Sequence, residues 1–189
     1  SIDFFFFSGK PANTYFVDMC RRALVVHSAI KWLYWANEIL PFGSNHQVFP
    51  ARATSDSRDL KGLFGKVSPQ LRFSSQERQA GEEYLQKIGM AYGDRYICLV
   101  VRDHTYLSQT YEDHDWSYHD FRDTKIESYE AAVVALAERG YWVLRMGKVV
   151  HRRLSVDHPR VVDYATSTHR SDFLDIWLMA HCYFTISTG

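Results

Sequence analysis

Six short polar stretches of this 189-residue chain stand where an apolar run gives out or a helix begins, and each carries residue types with chemistry to offer. Arg102-Asp103 ends the run Tyr96–Val101. A guanidinium there presents a planar fork that suits a phosphate, and the plain alternative is an ion pair with Asp103 or a neighbour. His119-Asp120-Phe121-Arg122-Asp123 stands just before a helix start, where Asp123 can also be a simple cap. Arg145-Met146-Gly147 ends a second apolar run, and its glycine permits either close backbone approach to a ligand or a turn. Asp163-Tyr164 ends a third. Ser171-Asp172 opens an apolar helix whose first amides can meet an anion or take an ordinary N-cap. Ser187-Thr188-Gly189 follows the last run, the kind of small-residue loop that leads to a phosphate-cradling helix N-terminus.

The elements that position these stretches are legible from pattern. Tyr96–Val101 is six apolar or aromatic residues in a row, which reads as a strand buried on both faces, as in a parallel sheet. Ser74-x-x-Glu77 is a capping box opening a helix that ends at Gly89. Thr124-x-x-Glu127 is a second, opening a helix that ends at Gly140. Tyr141–Met146, Arg160–Tyr164 and Cys182–Ile186 read as further strands, and Asp172–Ala180 as a helix buried nearly all round. Strand, loop, helix, strand, loop, strand, helix, strand is half of a doubly wound α/β fold. Parallel strands share a carboxyl edge, and ligands bind beyond it. Arg102, Arg145, Asp163 and Ser187 are therefore expected on one edge.

The region before this is less regular. Ile2–Phe7 reads as a strand, and Asn13 or Thr14 can cap one long helix running to about Leu40, ended by Pro41-Phe42-Gly43. Arg21, Arg22 and Lys31 make that helix basic, and Trp32 and Trp35 flank its apolar face. A membrane-surface helix has this composition, but packing of the apolar face explains it more simply. Residues 44–72, with a short helical piece near Asp59–Lys66, read as a connection between lobes. A strand with nothing before it and an end just past a strand suggest a piece of something longer.

Composition narrows the function classes. Twenty-two acidic and 22 basic residues cancel, so no global charge calls for nucleic acid. An aromatic share of 15% suits a folded domain. Cys20, Cys98 and Cys182 have no CxxC spacing and read as small core residues in a reducing compartment. The loop 104–123 holds His104, His114 and His119 with Asp113 and Asp115, but their spacing matches no compact zinc pattern, so no metal is expected. A loop this long is usually functional, and its five aromatics fit that reading. GxGxxG, Walker, GxSxG and HExxH motifs are all missing, which sets aside the commonest dinucleotide, NTPase, hydrolase and zinc-protease readings.

Taken in order, Val101-Arg102-Asp103, His119-Asp120-x-Arg122-Asp123-x-x-Ile126-x-x-Tyr129, Gly140–Gly147, Asp163-Tyr164-Ala165 and Ser171-Asp172-Phe173-x-Asp175-Ile176 resemble a family of bacterial glycosyltransferases found with surface-polysaccharide genes. Arg58-Asp59-Leu60-x-Gly62-Leu63 and the helix after Phe73 fit as well. The resemblance implies an incomplete B-type glycosyltransferase, α/β with a Rossmann-like parallel sheet and helices on both faces. Residues 1–72 would be the end of the acceptor lobe and the interlobe connection, and 73–189 the first half of the donor-binding lobe. It implies a cytoplasmic enzyme, at the inner face of the membrane, that moves a sugar from a nucleotide-sugar to a saccharide or lipid-linked saccharide acceptor. No cofactor, metal or nucleic acid is implied, and the piece alone would be inactive. Arg102, Arg122, Arg145, Gly147, Asp163, Ser171, Asp172, Ser187, Thr188 and Gly189 would hold the donor and its phosphates. Asp103 or His119 would take the acceptor's proton. The family shows histidine near position 100 and often asparagine at 123, where this chain has Val100 and Asp123. Two other readings fit the same residues. One is a nucleotide-sugar epimerase or hydrolase of this fold, and the other a non-catalytic remnant that binds sugar or protein.

Overall fold

The structure, a computed structural model, describes residues 3–47, 62, 65–66, 68–102 and 124–188. The chain divides into two compact units, residues 1–73 and 74–189.

In the first unit, strand β1 (Phe4–Phe5) and strand β2 (Val25–Val26) form a two-stranded parallel sheet, with helix α1 (Thr14–Ala23) between them in sequence. Asn13 caps α1, its side chain accepting from the Phe16 N–H at 2.8 Å. The single long helix expected from Asn13 to Leu40 is corrected here. The chain turns extended at Leu24, and helix α2 begins only at Ile30 and ends at Ile39. The break has a physical cause. β-Branched Val25 and Val26 favour extended backbone, and β1 offers them partners: the register Phe4↔Val25, Phe5↔Val26 continues as His27 N–H donating to Phe5 O at 3.1 Å. Apolar periodicity cannot register this, because the residues on either side of the break keep a helical spacing. The expected packed helix also differs: α2 buries none of its residues, and Trp32, Leu33 and Ile39 are exposed.

The second unit is a four-stranded, all-parallel sheet. After helix α3 (Ser75–Lys87) come strand β3 (Tyr96–Val100), helix α4 (Glu130–Glu138), strand β4 (Trp142–Met146), strand β5 (Val161–Val162), helix α5 (Asp172–His181) and strand β6 (Phe184–Ser187). The spatial order is β5-β4-β3-β6. β3 is central and sealed on both sides: Ile97, Cys98 and Leu99 are at most 1% exposed. Neighbouring side chains of a strand point to opposite faces. Leu99 joins Val133 of α4, Val143 and Leu154 in one cluster, while Cys98 and Tyr96 reach the Leu178 carbonyl of α5. Helices thus cover both faces of a parallel sheet, which is the expected α/β class.

The Ser74–Glu77 capping box is present in both directions, with Glu77 N–H to Ser74 Oγ at 3.2 Å and Ser74 N–H to Glu77 Oε2 at 2.7 Å. The second expected box is not. α4 starts at Glu130 behind a 3-10 turn at Ile126–Tyr129 that has no side-chain cap. Thr124 N–H is committed to Arg102 O at 3.2 Å, and Glu127 turns outward to Arg152 at 2.9 Å, so neither is free to close a box. α5 is buried on one side by Trp177 and Leu178, but Met179 is 38% exposed, so it is not buried all round. It packs closely on α3: a Cβ at Gly81 would collide with the Trp177 ring. Cys182 caps the end of α5 rather than lying in β6.

Candidate functional site

Parallel pairing fixes which strand ends meet. Val100 is opposite Met146 on one side and Ser187 on the other, Leu99 is opposite Arg145, and Leu144 is opposite Val162, which puts Asp163 beside Arg145. Arg102, Arg145, Asp163 and Ser187 therefore share the carboxyl edge. The chain leaves β3 toward β4 and β5 on one side, then returns past β3 to place β6 on the other. The point of reversal lies between β3 and β6, where an open α/β sheet forms its ligand crevice. Arg102 and Ser187-Thr188 stand at that point.

The two strand ends there are tied together. Thr188 N–H donates to Val100 O at 3.2 Å, and Arg102 N–H donates to Thr188 Oγ1 at 2.9 Å. With Thr124 N–H on Arg102 O, the Arg102 backbone is held from two directions while its side chain remains half-buried. The main chain of Arg102 is thus committed to positioning the two strand ends. Asp103, His119, Arg122 and Gly189 lie outside the described residues.

The β4–β5 end of the same edge is built differently. Arg145 is 1% exposed, and its Nη1 meets Asp163 Oδ1 at 3.3 Å. The other Asp163 oxygen accepts from Leu154 N–H at 3.1 Å and from the Thr166 hydroxyl at 3.0 Å. One carboxylate thus neutralises a buried cation and anchors two loop segments. Arg145 Nε has no hydrogen-bond partner among the described residues. Gly147 makes a turn of the chain's own: its φ is 153°, and a Cβ there would meet Val150 at 2.6 Å.

Ser171 and Asp172 come next along that side. Ser171 Oγ accepts from Leu174 N–H at 3.1 Å as the N-cap of α5, and its N–H donates to the Tyr164 hydroxyl at 3.1 Å. Arg170 pairs with Asp175 and, at 3.2 Å, with Asp172, which also meets Lys148 at 3.5 Å. Two carboxylates in the first turn already offset the positive end of this helix. Burial pushes the Asp175 carboxyl up from its ordinary range, against the pull of Arg170. This network around Tyr164 and Arg170 was not anticipated; the spacing Arg170-x-Asp172-x-x-Asp175 was the signal available for it. At this helix end Asp172 and Asp175 are balanced by Arg170 and Lys148, while Arg102 stands half-buried at the reversal point. The reversal of strand order makes the β3–β6 end of the edge the candidate place for a ligand.

Among the described residues no group of three or more His, Cys, Asp or Glu is placed to hold a metal, and no helix is long and apolar enough to cross a membrane. No protein-family model matches the chain, and neither a curated protein nor a solved structure matches it.

Proposed function

We propose that the chain carries the donor-binding part of a glycosyltransferase that takes its sugar from a nucleoside-diphosphate sugar and passes it to a saccharide or lipid-linked saccharide. The observation that carries this reading is the reversal of strand order between β3 and β6, with Arg102 and Thr188 at its carboxyl edge. In the proposed reaction the leaving diphosphate gains negative charge as the glycosidic bond breaks. Arg102 offsets that charge through two parallel N–H donors, and Ser187 and Thr188 border the same phosphates. Asp103 or His119 takes the proton of the acceptor hydroxyl. Arg145 and Asp163 act one step back, holding the β4 and β5 ends in place. A membrane-surface role for α2 in presenting a lipid-linked acceptor is supported by its exposed Trp32, Leu33 and Ile39.

The test is a titration of full-length protein with a panel of nucleoside diphosphates and their sugars. A preferred diphosphate whose affinity falls about tenfold or more in Arg102→Ala supports the reading, since a charge-assisted bond to phosphate contributes roughly 1.5–3 kcal/mol. Equal affinities in the two proteins sink it. Incubation with donor alone then separates transfer from epimerisation or hydrolysis, which need no acceptor.

A further inference from the structure

Two of the three cysteines come together at the carboxyl end of α5. Cys98, in the middle of β3 and 0% exposed, donates its thiol to Leu178 O at 3.6 Å. Cys182 caps the same helix, its N–H on Leu178 O at 3.1 Å and its thiol on Met179 O at 3.3 Å. The Cys182 sulfur also lies 3.3 Å from Thr185 Oγ1, and Thr185 is the residue of β6 directly opposite Cys98. Side chains opposite each other in neighbouring strands lie on one face, about 5 Å apart. Both thiols therefore occupy the same small space between the sheet and the end of α5. Their exposures differ: Cys182 is half-buried and Cys98 sealed.

We infer that Cys98 and Cys182 form a dithiol that a small disulfide oxidant closes into an intramolecular bond, joining the middle of β3 to the entry of β6. The half-buried Cys182 reacts first. Its thiolate attacks one sulfur of glutathione disulfide, forming a mixed disulfide and releasing one glutathione thiolate. The Cys98 sulfur then attacks the Cys182 sulfur, displacing the second glutathione. Two protons pass from the protein thiols to the two glutathiones, and two electrons pass from the pair to the oxidant. Burial, with Cys182 alongside, pushes the Cys98 thiol well above its ordinary range. Cys98 is thus the poorer nucleophile toward an outside reagent, and its attack becomes effective once the target sulfur is beside it.

The experiment incubates reduced full-length protein with excess glutathione disulfide in mildly alkaline buffer. It then blocks remaining thiols with iodoacetamide under denaturing conditions and maps peptides without reduction. The expected result is loss of two of the three thiols in the chain, a peptide linking Cys98 to Cys182, and reversal by dithiothreitol. Cys182→Ser should leave Cys98 fully alkylated, since nothing then presents it with a disulfide. Three results overturn the proposal: both thiols remaining free in wild-type protein, Cys182 stopping at its glutathione adduct, or a bond that includes Cys20. Oxidation of Cys98 in Cys182→Ser overturns the order of attack.

Discussion

Arg102 and Arg145 end neighbouring strands on the same edge of one sheet, and the protein uses them in opposite ways. Arg145 is swallowed by the fold: 1% exposed and paired with Asp163. Arg102 is held by its backbone, through Thr188 and Thr124, and its side chain is half-buried. The difference lies in the neighbouring strand. β5 delivers a carboxylate directly opposite Arg145, whereas β6 delivers a hydroxyl opposite the main chain of Arg102. An arginine at the end of a parallel strand is thus drawn into the core where the adjacent strand delivers a carboxylate to it, as β5 does for Arg145.

The sharpest way to break this contrast is Asp163→Ala. Removing one partner of a buried pair leaves the other charge stranded and costs about 3–5 kcal/mol. Leu154 N–H and the Thr166 hydroxyl lose their acceptor as well. Urea unfolding should show a loss of that size, with Asp163→Asn in between. A loss under about 1 kcal/mol would mean that water already reaches Arg145 and that the two arginines are alike.

Arg102→Ala comes next and should divide its effects between two assays. Affinity for the preferred nucleoside diphosphate should fall about tenfold or more, a change of about 1.4 kcal/mol. The unfolding free energy without ligand should move by less than about 1 kcal/mol, as for a surface ion-pair residue. The reverse pattern would place Arg102 in the structural class of Arg145.

Thr188→Val keeps a β-branched side chain and removes only the acceptor of the Arg102 N–H. A loss of about 0.5–1.5 kcal/mol in the same unfolding measurement is expected for one neutral, partly buried hydrogen bond. No loss at all would show that the β3 and β6 ends are joined by the ladder alone.

The smallest effect lies at the opposite edge of the sheet, where Asp94 serves as a control. Its carboxylate accepts from Ala91 N–H and from Trp142 Nε1, and Arg160 stands 3.7 Å away. Those bonds, the Ala91 amide first, hold its pKa below the ordinary 3.8. A depressed folded-state pKa contributes stability above the unfolded value, and that contribution is lost as pH falls through the folded one. Acid unfolding of Asp94→Asn should therefore show a shallower loss of stability below the ordinary aspartate range than wild type. An unchanged acid limb would mean that Asp94 titrates alike in both states.

The buried strands β3 and β4, the capped start of α3 and the extent of α5 were legible in the sequence. Each is written in local terms: an unbroken apolar run, a Ser-x-x-Glu box, a serine before a helical apolar stretch. Alternation of strand and helix also told of a parallel sheet, and so of a shared carboxyl edge for Arg102, Arg145, Asp163 and Ser187. Three matters were settled only by tertiary structure, because each depends on what a distant segment supplies. β1 turned Val25-Val26 from helix to strand by offering backbone partners some twenty residues away. Arg102 O and Arg152 drew Thr124 and Glu127 out of the cap that their spacing promised. The sorting of two similar arginines into one buried and one half-buried came from the strands laid beside them. Local pattern can state that a charge ends a strand; only the pairing of strands decides how deeply that charge is buried and which carboxylate lies opposite it.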